Sequence, residues 1–152
     1  MPTISIETII AAPIERCFDL ARSVEAHVET SHFTDERVVA PGRLSGLLDL
    51  NDTISFEAVH LGIRQRLTAR IVEMERPIRF VDEQVRGAFA ALRHLHEFSA
   101  GAGGTLMRDT ITWKSPLGPL GGFVDRLLLR RYLTSFLRRK QALLKKLAEF
   151  PC

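Results

Sequence analysis

Cysteine is almost absent from this 152-residue chain, with only Cys17 and Cys152 present. Two thiols, one in a predicted helix and one at the extreme C-terminus, exclude a disulfide framework or a cysteine-rich zinc site, and a reducing compartment fits them. Long apolar runs are missing too: no stretch approaches the roughly 18 residues that a membrane-spanning helix needs. The opening residues, MPTISIETII, lack the basic segment, apolar run and small-residue cleavage site of a secretory signal, so the cytosol is the expected location. There is no internal repeat, low-complexity tract or linker. No zinc-finger spacing or aromatic-basic repeat points to nucleic acid. SPLGPLGG lacks the Gly-Lys-Ser/Thr ending of a phosphate loop and reads as a turn before a helix.

What is present is the composition of a globular protein, 45% hydrophobic and 26% charged. A chain of this length buries close to 70% of its unfolded surface and is expected to form one domain spanning 1–152. The net charge of +3 is uneven: from Gly121 onward eight Lys/Arg face Asp125 and Glu149, giving +6, while the preceding 13 basic and 16 acidic residues give −3. Basic character thus belongs to one element, whose charges suit a solvated outer face or an anionic partner.

Thr3 to Ala11 is rich in β-branched residues and reads as a strand. Pro13 ends it and suits the first turn of a short helix through IERCFDLA; Ser23 caps a second through VEAHVET. ERVVA suggests a strand, and the leucine-bearing loop from Gly42 to Leu50 is either tucked in or a gate. Between Thr53 and Trp113, TISFEAVH, IRQRLTARIVE, IRFVDEQVR, LRHLHEFS and TLMRDTITW have strand composition, and their short connections imply an antiparallel meander. The period then changes to that of a helix of about 28 residues. Its apolar stripe holds Leu129, Leu133, Phe136, Leu143 and Leu147 with Tyr132, Leu137 and Leu144. Lys140 interrupts that stripe, where its stem can pack while the ammonium snorkels out.

This order predicts an α+β helix-grip fold. A curved antiparallel sheet of about six or seven strands wraps the long C-terminal helix, because only the meander offers an apolar face large enough to bury the stripe. In APIERCFDLARS, GLLDLNDTISFEAVHLGIRQRLTARI, RFVDEQVRGAF, RHLHEF and GGTLMRDTITWKSPLGPLG, followed by the basic helix, the chain resembles the SRPBCC superfamily of START, pollen-allergen and polyketide-cyclase proteins. It is similar in particular to a bacterial branch described as cyclase/dehydrase-like or cell-division-inhibitor-like. Leu92 departs from the tryptophan frequent at that place in the family. The resemblance implies the fold strongly; for function it implies only a range, from lipid carriers and hormone receptors to cyclases and co-chaperone regulators.

Strand parity then locates chemistry. Leu92, His94, His96 and Phe98 share one face of their strand, as do Met107, Asp109, Ile111 and Trp113 on the next. Hairpin arithmetic sets Asp109 opposite His94 or His96, and the preceding turn sets Gln84 opposite His94 and Asp82 opposite His96. The same inner face collects Phe56, His60 and Gln65. So many polar groups are costly in a dry core, about 1–3 kcal/mol each if unpartnered, and they signal a small-molecule cavity.

Expected ligand contacts are His60, Gln65, Asp82, Gln84, His94, His96 and Asp109, with Phe56, Met107, Trp113, Leu133 and Phe136 as apolar wall. His-x-His beside a carboxylate offers nitrogen and oxygen ligands, but the motif is short and the resemblance implies no bound metal, so neither metal nor cofactor is expected. Three readings follow: a binder of a hydrophobic or amphipathic small molecule, lipid or polyketide-like; a cyclase or dehydratase using His96 and Asp109 as an acid/base relay; or a module docking a protein or anionic membrane through its basic helix. Monomer and homodimer both remain open. Cys17 is expected in the core, and His27 and His32 on the surface.

Overall fold

A computed structural model describes residues 1–116 and 118–150, so Cys152 and the Leu117 of SPLGPLGG lie outside the described residues. The β-branched opening forms β1 (Thr3–Ile10), followed by α1 (Ile14–Ala21) and α2 (Val24–Thr30). Pro13 sits before the first turn of α1 in extended conformation, and the Ser23 hydroxyl accepts from the Ala26 amide to cap α2. After the short β2 (Arg37–Val39) comes the meander: β3 (Thr53–His60), β4 (Ile63–Glu75), β5 (Arg79–Arg86), β6 (Ala91–Gly101) and β7 (Gly104–Lys114).

The seven strands form one antiparallel sheet in the order β1-β7-β6-β5-β4-β3-β2. Register shifts in the β4/β5 pair, between Thr68 and Ala69 and between Ile71 and Glu73, bend the sheet. The first strand returns to pair with the last, and Gly104 makes that closure possible. Its φ is +133°, and a Cβ there would stand 2.1 Å from the Ile10 carbonyl oxygen.

The C-terminal helical rod begins with α3 (Gly121–Val124), passes through a π-helical segment (Asp125–Leu129) and continues as α4 (Arg130–Glu149). Leu137, Gln141, Leu144 and Ala148 form its most buried line, a three- and four-residue spacing that sets one face against the sheet. No described helix is long and apolar enough to cross a membrane.

The interior has two apolar regions. At one end Phe18 meets Phe80 and Phe98 edge-on, with ring centroids 5.3 and 5.4 Å apart, and Ile10, Cys17, Met107 and Leu144 close round them. At the other, Trp113 packs with Ile4, Ile111 and Leu137. Cys17 is fully buried, and burial pushes its thiol above the usual range, leaving it a small apolar residue with a weak S–H.

Candidate functional site

Between the two apolar regions, the concave face of the sheet and the α4 rod enclose a cavity of about 200 Å³. Its aliphatic and aromatic wall comes from alternate residues of the central strands, among them Ile54, Phe56, Ala58, Ala69 and Ile71, and from Leu133, Phe136 and Leu137 of the helix. The two-residue period of β-structure is what brings His60, Gln65, Asp82, Gln84, His94 and His96 to the same lining.

The polar centre lies on β5, β6 and β7. His96 stands opposite Asp109 in the ladder. The two are joined through His96 Nδ1 and Asp109 Oδ1 at 2.9 Å, while His96 Nε2 lies 2.8 Å from Asp82 Oδ2. His94 Nε2 meets the same Asp109 oxygen at 2.8 Å. Asp109 Oδ2 accepts from the Gln141 amide at 2.6 Å, and that amide also donates to the Ile6 carbonyl at 2.9 Å. The imidazole planes of His94 and His96 stack 3.7 Å apart, and Phe80 lies 4.0 Å beyond His96. No buried side-chain nitrogen or oxygen among the described residues lacks a partner.

Charge follows from this geometry. Burial opposes ionisation of His96, but the hydrogen bonds its ring nitrogens donate to Asp109 and Asp82, with the charges of those carboxylates, outweigh it and raise its pKa to about 9. Burial would likewise favour neutral carboxyls, yet the imidazoles hold Asp109 and Asp82 below the usual carboxylate range. The centre is therefore an imidazolium clamped between two carboxylates.

Asp109, Met107 and Trp113 do not reach the cavity surface. Asp109 stands behind the histidines and orients them, while Met107 and Trp113 are core residues. Strand parity identifies the inner face but does not measure depth. Gln84 reaches the lining while donating to the Phe89 carbonyl at 2.7 Å, so it also closes the loop after β5. Gln65 donates to the His60 carbonyl at 3.3 Å, and His60 is hydrogen-bonded through Nδ1 to the Tyr132 hydroxyl.

The expected β5/β6 register is corrected. Asp82 pairs with His94 and Phe80 with His96, rather than Gln84 with His94 and Asp82 with His96. The Gln84 side chain holds a wide loop that replaces a tight turn and moves the hairpin centre. A shift of two residues keeps every side chain on its face, which is why the inner set survives the error. Asp82 still reaches His96, on the diagonal.

Lining residues outside the expected set include His27, Glu36 and Lys140. His27 is not a surface residue. Its ring stacks on Phe56 at 4.1 Å, and its Nδ1 lies 2.6 Å from Glu36 Oε1. Burial holds His27 below the ordinary imidazole value against the pull of Glu36; burial of Glu36 is outweighed by His27, so its carboxyl is held low. Nor does Lys140 snorkel out. The C-terminal end of α2 roofs it, and its Nζ donates to Ser31 Oγ at 2.7 Å and the His27 carbonyl at 3.4 Å. The signal was visible: Lys140 lies four residues after Phe136 and seven after Leu133, on the apolar stripe itself.

The leucine loop contributes only Leu48 to the lining, while Leu44, Leu47 and Leu50 face out. It is tied to the start of α2 by Val24 N–H to the Gly46 carbonyl and Leu48 N–H to the Arg22 carbonyl, each 2.9 Å. Asp82, His94 and His96 also offer ligand atoms within 4.8 Å of one another, a set able to receive a metal ion. Both nitrogens of His96 are engaged by carboxylates in this arrangement.

No protein-family model matches the sequence, and no curated protein matches it. Solved structures do resemble it. TTHA0849 from Thermus thermophilus superimposes with a TM-score of 0.78 at 20% identity, covering 95% of each chain. The di-domain ARO/CYC StfQ of the steffimycin biosynthetic pathway gives 0.75 at 15% identity, covering 96% of this chain and 50% of that one. Ginseng major latex-like protein 151 from Panax ginseng gives 0.69 at 10% identity, covering 97% of each. The fold is therefore the helix-grip architecture, a curled antiparallel sheet gripping a long C-terminal helix, that these solved structures share.

Proposed function

We propose that residues 1–152 act as one cytosolic helix-grip domain that binds a hydrophobic or amphipathic small molecule, lipid or polyketide-like, between the sheet and α4. The observation that carries this reading is the cavity itself, a hydrocarbon wall with a few convergent polar groups at one side. His60, Gln65, Asp82, Gln84, His94 and His96 contact the polar part of the ligand, and Phe56, Leu133 and Phe136 its hydrocarbon. Asp109, Met107 and Trp113 act from behind, through the groups they support. The likeness to an ARO/CYC protein agrees with a ligand of this kind.

Titration with N-phenylnaphthylamine is the direct test. Saturable fluorescence enhancement is expected, with loss of it in Leu133→Trp, whose indole fills the space, at unchanged thermal stability. Equal binding by that variant would move the ligand elsewhere, and no binding by the parent protein would end the proposal.

The proton held by His96 against the cavity wall favours one second reading, acid/base turnover of the bound molecule. His96 is then the proton donor and Asp109 its positioning residue. Unchanged turnover of an identified substrate in both His96→Ala and Asp109→Asn would eliminate it.

A further inference from the structure

Lys140 is a primary amine set into an apolar cavity from the helix side, and the polar centre of β5–β7 makes no use of it. Its two hydrogen-bond acceptors are both neutral, the Ser31 hydroxyl and the His27 carbonyl. Among the described residues no carboxylate oxygen lies within 4.0 Å of Nζ. The opposing charges that act on it, Glu36, Asp109 and Asp82, do so from beyond contact. Each is already committed to an imidazole.

Burying an ammonium without a contact counter-ion is costly, and a lysine so placed readily gives up its proton. Burial accordingly lowers the Lys140 pKa from its ordinary value, against the pull of those three carboxylates. An incoming anion would add negative charge to a chamber that already holds three carboxylates. A neutral carbonyl adds none.

We infer that Lys140 Nζ is a covalent attachment point, forming an imine with an apolar aldehyde or ketone that enters the cavity. The inference rests on the ligand-binding reading above and specifies the ligand's reactive group. In the step, the Nζ lone pair bonds to the carbonyl carbon while the C=O π pair moves to oxygen. Two protons from nitrogen then leave with that oxygen as water, and the C=N bond forms.

Starting from the ammonium, one proton first leaves to water to free the lone pair and returns to the imine nitrogen at the end, so the overall product is one water and an iminium carrying the same single positive charge. The balance with Glu36, Asp82 and Asp109 is preserved, while the ligand's hydrocarbon meets the apolar wall. Ser31 Oγ and the His27 carbonyl engage two of the amine's N–H bonds and leave the third direction of the nitrogen for the carbonyl. Neither oxidant nor reductant is needed.

Trapping with decanal and cyanoborohydride tests the inference, with intact mass and peptide mapping as readout. One reduced adduct, mapping to Lys140 in preference to Lys114, Lys145, Lys146 and the N-terminal amine, is expected, and excess decanol should suppress it at least tenfold. Lys140→Arg and Lys140→Met should each lose the adduct yet still bind N-phenylnaphthylamine, which separates loss of the amine from loss of the fold. Probe binding with no preference for Lys140 would overturn the imine and leave the binding proposal standing. Absence of both probe binding and adduct would overturn the two together.

Discussion

The phenylalanine-rich end of the interior and the polar centre beside it are built on opposite principles. Around Phe18, Phe80 and Phe98 the groups are hydrocarbon, and stability comes from area removed from water and from close packing. Along the same strands, His94, His96, Asp82 and Asp109 bury charge that is tolerable because the imidazoles and carboxylates pair with one another. Phe80 belongs to both, edge-on to Phe18 on one side and stacked on His96 on the other. The difference teaches where each end is fragile: the dry end to lost volume, the polar end to a lost proton or partner.

The largest effect should come from the dry end. Phe18→Ala removes a fully buried ring with two edge contacts, and a loss of about 3–5 kcal/mol in urea unfolding is expected. A loss below about 1 kcal/mol would mean that this end is not the principal packing unit.

At the polar end pH should do what volume does elsewhere. His96 has its pKa raised from 6.5 to about 9, so its contribution is fully present below pH 6.5 and disappears as pH rises through about 9. That shift corresponds to roughly 3 kcal/mol. Asp82 and Asp109 are lowered from 3.8, so their contribution is present above that value and is lost as acid protonates them. His27 and His60, held below 6.5 by burial, work the other way and remove stability as pH falls below that value, so thermal unfolding across pH should show a maximum near pH 6.5 with losses on both sides. Asp109→Asn should lower that maximum by about 3 kcal/mol, since it strips His94 and His96 of a shared acceptor, and should flatten the alkaline limb. An alkaline limb as steep as in the parent protein would contradict the clamp.

The smallest effect is expected at Lys140, a charge without a contact counter-ion. Lys140→Met keeps the length and the stem packing, and should change stability by less than about 1 kcal/mol in either direction. A loss as large as that of Asp109→Asn would show Lys140 to be a member of the ionic cluster.

Much of this was legible before any coordinates. The β-branched opening, Pro13, the meander and the final three-and-four period predict the elements and their order, because local periodicity depends only on neighbouring residues. Parity placed His60, Gln65, His94, His96 and Asp109 on the inner face for the same reason. Register was less legible: Asp109 was narrowed to two partners across a tight glycine turn, whereas the Gln84 loop shifted its hairpin by a pair. Depth was not legible, so Asp109, Met107 and Trp113 belong to the shell behind the lining.

What the amino-acid order determined by itself was which residues share a face, since the two-residue and 3.6-residue periods are properties of the backbone. What only the tertiary structure decided was what those faces meet. His27 was expected on the surface and the Lys140 ammonium was expected to snorkel out from its apolar stripe; both become cavity groups because α2 folds over α4, with Ser31 meeting the lysine and Glu36 the histidine. The Ser31–Lys140 contact spans 109 residues, a separation that no local pattern encodes. The energies of both contacts depend on burial, which exists only once sheet and helix have closed on each other.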